Sequence, residues 1–457
     1  MSTNISRRKV VAGAAWAAPV VAASAAVPAF ASSTECEYAS ETTPDYIISG
    51  TDAGAKGTQS FVVPKLVDKI KFEVVGGAGG TNYDDIAAGS GAKVTGSIEV
   101  KPGQTVQLVA GAGGIGNNPL TPAEGGEGYG NGGSSNLPTP IPASVMQRVN
   151  AIWPKDSSLK RIIYSASGGG SSALVINGTP VAVAGGGGGA GFVNSGGANN
   201  NEQYAAAGAV DAGRLWPSGA KRNAYPVIGS TGGSAEGAEG SAGKQGALTY
   251  AADTSVTTTV NAGEGGSAGI GGNGGSKTDL PSGKSPNGVL GYSSANNQEI
   301  YASSKSGNQG GDGFKGNGGD GVGSYSYLID NNDRTKKEEG TKNGKGYALE
   351  YESIGFNFNG YESVISAGGG AGYGGGGSGA STSSSAIVLT QKWNNNPNGL
   401  RQNVGFAQFG GGGGAGGSYV APGVSRGSIE SSGNAAKVVR GTRGNGYVKV
   451  FLCKRTA

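Results

Sequence analysis

The chain has no histidine, only two cysteines and two methionines, and few charged residues, 14% in all. The absence of histidine excludes Ser-His-Asp and Cys-His catalysis, histidine-ligated metals and the commonest general base near neutral pH. Proline is too scarce for collagen, at 18 residues in 457, and no Gly-X-Y period runs through the chain. We therefore expect a protein that is not an enzyme and that has no catalytic residue, cofactor or bound metal.

Glycine, in contrast, makes up 93 of the 457 residues, about three times the roughly 7% of average usage. The hydrophobic fraction of 36%, with 18 tyrosines, is too high for a disordered Gly/Ser linker. Much of the glycine lies in nine glycine runs: residues 76–80, 111–116, 125–133, 168–170, 185–191, 263–275, 310–323, 368–379 and 410–417.

The glycine runs directly adjoin apolar segments and contain large side chains such as Phe192, Phe314, Val322 and Tyr373. A chain without side chains can adopt a left-handed helix with three residues per turn and no internal hydrogen bonds. Several such polyglycine II helices can bond to one another, because only glycine permits so close an approach. The runs therefore predict an ordered polyglycine lattice rather than linkers.

The first 31 residues have the features of an export signal. Arg7, Arg8 and Lys9 are followed by an uncharged segment that ends in an A-x-A-type cleavage site, with cleavage after Ala31. The paired arginines resemble a twin-arginine signal, although Val10, Val11 and Ala12 depart from that pattern and leave ordinary Sec export open. An uncleaved membrane anchor is the alternative.

Cleavage would lower the net charge from +4 to +1, because it removes three basic residues and no acidic one. So small a basic surplus argues against nucleic acid as a partner. Downstream we find no long apolar stretch, and we expect no transmembrane segment in the mature chain. The expected location is extracellular or at the cell surface.

The two cysteines lie near opposite ends of the mature chain, at Cys36 and Cys453. An exported chain with two cysteines can form one intramolecular disulfide, and the compartment favours oxidation. We predict a Cys36–Cys453 bridge, with two separately buried thiols as the alternative.

Short apolar segments with a period of two predict an all-β framework in about 57–116, 160–184 and 385–453. Pro102-Gly103 predicts a type II turn in one hairpin and Asn177-Gly178 a tight turn in another. The only predicted helix is short, at 143–153. We expect residues 32–457 to form one glycine-rich β domain, with the glycine runs and polar inserts between its strands.

Over most of residues 57–452, the order of strands, turns and glycine runs is similar to that of a known domain family. Its elements are Phe61-x-Val63-Pro64, Ile70-x-Phe72-Glu73-x-x-Gly76-Gly77, Gly89-x-Gly91-Ala92, Pro102-Gly103-Gln104, Gly168-Gly169-Gly170-Ser171-Ser172, Val181-Ala182-Val183-Ala184 and Gly446-Tyr447-Val448-Lys449-Val450. This order resembles the glycine-rich domain of the anaplastic lymphoma kinase and leukocyte tyrosine kinase receptors, which also occurs in bacterial secreted proteins and phage adhesins. The resemblance implies a tumour-necrosis-factor-like jelly roll with a bundle of polyglycine II helices. It implies architecture and no ligand site.

Trp153, Trp216 and Trp393 lie in the polar inserts. Aromatic residues in such loops are local packing anchors or recognition residues, so these are the candidate recognition loops. We expect a binding, adhesion or structural module for an extracellular protein or glycan, and a homo-oligomer is compatible with that role. The alternatives are an ice- or surface-binding protein and an envelope hydrolase that uses carboxylates such as Asp84-Asp85 or Glu338-Glu339.

Overall fold

β-Strands dominate the part of the chain that the computed structural model describes. That part comprises residues 37–40, 42–82, 87–116, 119–152, 160–197, 203–205, 227–228, 232–235, 237–249, 257–278, 283–285, 288–290, 298–330, 337–342, 345–350, 360–391 and 400–455. Within these ranges lie one α-helix, α1 (Ala143–Ile152), and one 3-10 helix, Asn434–Lys437. The predicted all-β class is confirmed. The chain divides into two compact units, Met1–Glu35 and Cys36–Ala457, and every described residue belongs to the second.

The strands of these ranges are numbered in chain order. They are β1 (Glu37–Tyr38), β2 (Tyr46–Ser49), β3 (Gly57–Val62), β4 (Val67–Val75), β5 (Ala92–Glu99), β6 (Thr105–Ala110), β7 (Lys160–Tyr164), β8 (Ser172–Ile176), β9 (Thr179–Ala184), β10 (Phe192–Gly197), β11 (Gln203–Ala205), β12 (Val227–Ile228), β13 (Gly246–Thr249), β14 (Thr257–Val260), β15 (Gly283–Ser285), β16 (Gly288–Leu290), β17 (Gln298–Tyr301), β18 (Ser303–Lys305), β19 (Gly323–Asp330), β20 (Lys337–Lys342), β21 (Lys345–Glu350), β22 (Gly360–Ile365), β23 (Ser381–Gln391), β24 (Leu400–Gly410), β25 (Tyr419–Val420), β26 (Ser425–Ser431) and β27 (Tyr447–Lys454).

Two antiparallel sheets enclose the main hydrophobic core. The front sheet has the order β1–β27–β4–β5–β26, with β2 also paired to β27, and the back sheet has the order β25–β9–β8–β6–β3. Buried side chains of both sheets meet between them; they include Ile70, Phe72, Val74, Val94, Val448, Val450 and Leu452 of the front sheet and Val106, Leu108, Leu174, Ile176, Ala182 and Ala184 of the back sheet. Burial of this apolar surface is the main force holding the two sheets together.

The strand predictions are largely confirmed, with one error of pairing. In β4 the apolar positions are buried and alternate with half-buried Lys71 and Glu73, as the period of two predicted. Asn177 and Gly178 have φ of 49° and 81° and join β8 to β9 as a hairpin. Gly103 has φ of 88° and lies in the predicted turn, but β5 and β6 pair in different sheets. That turn therefore carries the chain from the front sheet to the back sheet and does not close a hairpin.

Four further sheets combine segments expected as polar inserts with strands β7, β23 and β24, which lie in or overlap the predicted strand ranges 160–184 and 385–453. A four-stranded sheet has the order β17–β19–β22–β7, and a seven-stranded sheet has the order β11–β10–β24–β23–β16–β15, with β18 also paired to β23. The others are β12–β13–β14 and β20–β21. The strands β19 and β23 face each other through buried serines, which the hydrophobic pattern could not reveal.

The glycine runs are packed against one another and bonded through their backbones. In run 185–191 every residue is buried. Its bonds, from N–H donor to carbonyl acceptor, are Gly186 to Ala371, Gly187 to Gly77, Gly188 to Gly233, Gly189 to Gly368 and Ala190 to Gly80, with N···O distances of 2.7–3.1 Å. Donors three residues apart thus reach the same neighbouring run, either 368–379 or 76–80. A flexible linker does not show such a repeat.

Buried serines connect the glycine runs to the sandwich. The Ser172 hydroxyl, at the start of β8, donates to the Val75 carbonyl (2.6 Å) and accepts from the Gly111 N–H (2.8 Å). Ser418 accepts from the Gly185 N–H (3.0 Å), and Ser171 accepts from the Gly130 N–H (2.8 Å). Because all three serines are at most 2% exposed, these bonds are shielded from water and fix the runs to the strand ends.

Candidate functional site

Three aromatic rings meet, and a fourth packs on the same apolar base, where the glycine runs cover the outer face of the back sheet. This aromatic cluster consists of Tyr129, Phe314, Tyr373 and Tyr419, all half-buried. The rings of Phe314 and Tyr373 are stacked with centroids 4.5 Å apart, and Tyr419 meets them edge-on at 4.9 and 5.1 Å. Such pairs stabilise each other by about 0.5–1.5 kcal/mol beyond the area they bury.

The back sheet supplies an apolar base for the aromatic cluster. Ala173, Val175 and Val183 pack against Tyr129, Phe314 and Tyr419. Ala173 and Val175 alternate along β8 with Leu174 and Ile176 of the main core, so they point to the opposite face of the sheet. The rings therefore close this outer face, and their remaining surface is in contact with solvent.

Backbone hydrogen bonds fix the main chain of Tyr373 at both its N–H and its carbonyl. Its N–H donates to the Gly417 carbonyl (2.8 Å), and its carbonyl accepts from the Gly269 N–H (3.3 Å). Gly269 has φ of 79° and lies in the tight turn between Ser267 and Ile270. A Cβ at Gly269 would stand only 2.8 Å from the Tyr373 ring, so the turn packs directly beside it. Ile270, at 64% exposed, extends the apolar surface.

Lys315 adds a positive charge to the aromatic cluster. Its Nζ lies 5.0 Å from the centre of the Tyr129 ring, within the range of a cation–π contact. Burial raises the pKa of Tyr129, because a charged phenolate would lose hydration there. The cluster thus offers aromatic faces, hydroxyl groups and one cation on a base of packed strands and glycine runs.

Polar side chains at the edge of the glycine runs bond to backbone groups. The Asp312 carboxylate accepts from the Gly271 N–H (2.8 Å), and the Asp320 carboxylate accepts from the Ser134 N–H (2.8 Å). These aspartates lie in the two Gly-Gly-Asp-Gly repeats of the chain, and their carboxylates satisfy backbone N–H groups. Among the described residues, no three Asp, Glu, Cys or His side chains could hold a metal ion together.

A second group of tyrosines lies on the four-stranded sheet. Tyr301 stacks on Tyr325 and Tyr327 with centroids 4.9 and 5.2 Å apart. Ile141 and Val145 pack against this group. Burial, followed by a hydrogen bond with Tyr301 and the electrostatic effect of Tyr301, raises the pKa of Tyr325 to about 12. This second tyrosine group offers aromatic residues outside the aromatic cluster that can serve as control positions for mutations.

The outer face of the front sheet carries an ion-pair network. Glu73 accepts from the Tyr447 hydroxyl (2.7 Å) and from Lys449 Nζ (3.0 Å), and Lys93 pairs with Glu430 at 2.6 Å. Burial alone would raise the pKa of Glu73, but the hydrogen bonds of Tyr447 and Lys449 and the positive charges together lower it. The network stabilises the sheet surface.

The candidate recognition residues Trp153, Trp216 and Trp393 lie outside the described residues, as do Arg7, Arg8 and Ala31. Asp84 and Asp85 also lie outside them, while Glu338 and Glu339 occupy consecutive positions of β20 opposite Leu349 and Ala348. The prediction missed the aromatic cluster as a site. Its signal was the presence of Tyr129, Phe314 and Tyr373 within glycine runs.

Only one of the two cysteines of the predicted disulfide lies among the described residues. Cys453 is 1% exposed and lies opposite Tyr38 in the pairing of β1 with β27. Cys36, two residues before Tyr38, lies outside the described residues. The pairing brings the first described residues beside the last strand, and the Cys36–Cys453 bridge stays a prediction.

Comparison of the chain with protein-family models gave no match, and comparison with curated protein sequences gave none either. Within the part of the chain that the structure describes, no helix has the length and apolar character needed to cross a membrane.

Proposed function

We propose that this protein is an exported, non-enzymatic binding module of the cell surface. In this proposal a tumour-necrosis-factor-like jelly roll carries a bundle of polyglycine II helices, and the bundle holds recognition surfaces rigidly. The partner is an extracellular protein or a glycan. The export signal that ends at Ala31 would bring the protein to that location.

The repeat of hydrogen bonds in run 185–191 carries the proposal. Gly186 and Gly189 bond to one neighbouring run and Gly187 and Ala190 to another, which is the pattern expected for three residues per turn. An α-helix or a strand would bond to its neighbours with a different period. The repeat therefore favours polyglycine II helices packed side by side.

The course of the chain through the sandwich supports the jelly-roll interpretation. The chain passes from β2 in the front sheet to β3 in the back sheet, returns to the front sheet for β4 and β5, and crosses back at β6. Repeated crossing between two antiparallel sheets is the connectivity of jelly rolls.

The aromatic cluster is the recognition surface that the described residues favour. Tyr and Phe side chains dominate many binding surfaces because they bury a large area with little loss of side-chain entropy. Here the cluster lies on runs whose backbone bonds are already formed, so less entropy is lost on binding. The tryptophan loops remain the second candidate surface of the same module.

Binding of the labelled mature protein to intact cells of the producing organism tests the proposal. Phe314→Ala and Tyr373→Ala should weaken binding by at least about tenfold, as truncation of a central aromatic residue typically does. Tyr325→Ala, in the second tyrosine group, is the matched control and should bind like the wild type. Treating the cells with protease or with periodate separates a protein partner from a glycan. Absence of binding by the wild-type protein would refute the proposal.

A further inference from the structure

Four polar side chains are buried together where the four-stranded sheet packs on the seven-stranded sheet. They are Ser326 of β19, Glu362 of β22, Ser383 of β23 and Gln408 of β24, and each is at most 1% exposed. A carboxylate and a carboxamide are rarely buried so completely, because removing them from water is costly. The aromatic cluster and the glycine runs use none of these groups.

The register of the two sheets places these residues beside one another. Ser383 lies opposite Gln408 in the pairing of β23 with β24, and Ser326 lies opposite Glu362 in the pairing of β19 with β22. Side chains of directly opposed residues share one face of a sheet, with Cβ atoms about 4.5–5.5 Å apart. The Ser326 and Ser383 hydroxyls are hydrogen-bonded to each other at 2.9 Å, which joins the two pairs.

We propose that Ser383 and Gln408 form an intramolecular ester crosslink between β23 and β24. The Ser383 Oγ attacks the side-chain carbonyl carbon of Gln408, a C–O bond forms, and the C–N bond of the carboxamide breaks. The hydroxyl proton passes through Ser326 to the Glu362 carboxylate and is returned to the departing nitrogen, which leaves as ammonia. The step needs no oxidant, reductant or further reactant.

General physical principles support this chemistry at a buried site. Holding the hydroxyl and the carboxamide side by side turns a slow bimolecular reaction into an intramolecular one. A carboxyl group reached through a hydroxyl can act as acid and base in turn. Exclusion of water then protects the ester from hydrolysis. The crosslink would lock the base of the β23–β24 hairpin, and it does not depend on the proposed binding function.

Mass spectrometry of the wild-type protein tests whether the ester crosslink is present. After correction for signal cleavage and the disulfide, the measured mass of the intact protein should be lower than the mass calculated from its sequence by the mass of one ammonia. Trypsin cleaves after Lys392 and Arg401, so Ser383 and Gln408 fall in the separate peptides 346–392 and 402–426. We expect these two peptides to be recovered joined and to separate on treatment with hydroxylamine, which cleaves esters.

Substitutions at the proposed residues identify which side chains form the ester crosslink. Ser383→Ala and Gln408→Met should abolish the joined peptide, and Glu362→Gln should slow its formation. The matched control is Gln402→Met, which changes a glutamine of the same strand whose directly opposed residue in the pairing is Leu389. It should retain the crosslink. Because mass is measured before digestion, cyclisation of an N-terminal Gln402 in the peptide cannot imitate the loss of ammonia.

Two results would overturn the proposal. One is recovery from wild-type protein of both peptides unjoined, with the Gln408 carboxamide intact. The other is a joined peptide in Gln408→Met. If a variant does not fold, the wild-type peptide map still gives the answer.

Discussion

Replacing Gly188 with alanine tests how tightly the glycine runs are packed. Gly188 lies in the middle of run 185–191, donates its N–H to the Gly233 carbonyl (3.0 Å) and accepts from the Gly89 N–H (3.0 Å). A Cβ added there would overlap the carbonyl group of Gly413, which is backbone and cannot swing aside. The substitution therefore has to push two glycine runs apart.

The expected loss of stability follows from two contributions. Overpacking a closed interior typically costs about 1–3 kcal/mol. Separation of the runs would also weaken at least one buried backbone hydrogen bond, at about 1 kcal/mol each. We therefore expect Gly188→Ala to lower the free energy of unfolding by about 2–4 kcal/mol.

Gly423→Ala is the matched control for this experiment. No atom lies within 4 Å of a Cβ added at Gly423, and its φ is outside the left-handed region. Alanine there restricts the unfolded chain, so stability should stay within about 1 kcal/mol of wild type or rise slightly. Guanidinium unfolding followed by circular dichroism measures both variants. Equal free energies of unfolding would show that the runs are not closely packed, and the rigid-bundle argument would fail.

Three further predictions concern charge, covalent structure and processing. The lowered pKa of Glu73 means that its stabilising contribution is present above about pH 4.5 and is lost as the pH falls through the lower folded-state value. The stability difference between wild type and Glu73→Gln should therefore shrink on acidification, and a difference independent of pH would contradict it. Non-reducing peptide mapping should recover Cys36 joined to Cys453, whereas two alkylated thiols in native exported protein would exclude the bridge. N-terminal sequencing of the exported protein should begin at Ser32, and recovery of Met1 would refute signal cleavage.

The sequence predicted the strands of the sandwich because their apolar residues alternate. Ile70, Phe72 and Val74 alternate with polar residues and face the core, whereas short apolar segments predicted β8, β9 and β27. The prediction failed in the inserts, since the strands there bury hydroxyl groups. Ser324 and Ser381, for example, are bonded to each other at 2.7 Å and almost fully buried. A serine-rich segment has no hydrophobic period, so its burial depends on a partner strand that is distant in sequence.

The aromatic cluster was only partly visible in the sequence for a different reason. Tyr129, Phe314 and Tyr373 each lie within a glycine run and Tyr419 follows one, but these runs are far apart along the chain. Their convergence is fixed by bonds such as that from the Tyr129 N–H to the Ser171 carbonyl (2.8 Å). Contacts of this kind arise from tertiary packing, which local periodicity does not encode.

The energetics of glycine connect the architecture to the proposed role. Ordering a glycine costs more backbone entropy than ordering any other residue. The runs offset this cost with shared backbone hydrogen bonds and with buried serines such as Ser172 and Ser418. A chain that only needed to link strands would avoid the cost with flexible loops on the surface. The benefit that balances this entropy cost is the rigid placement of side chains such as Tyr373, because a surface that is already ordered loses little further entropy when a partner binds.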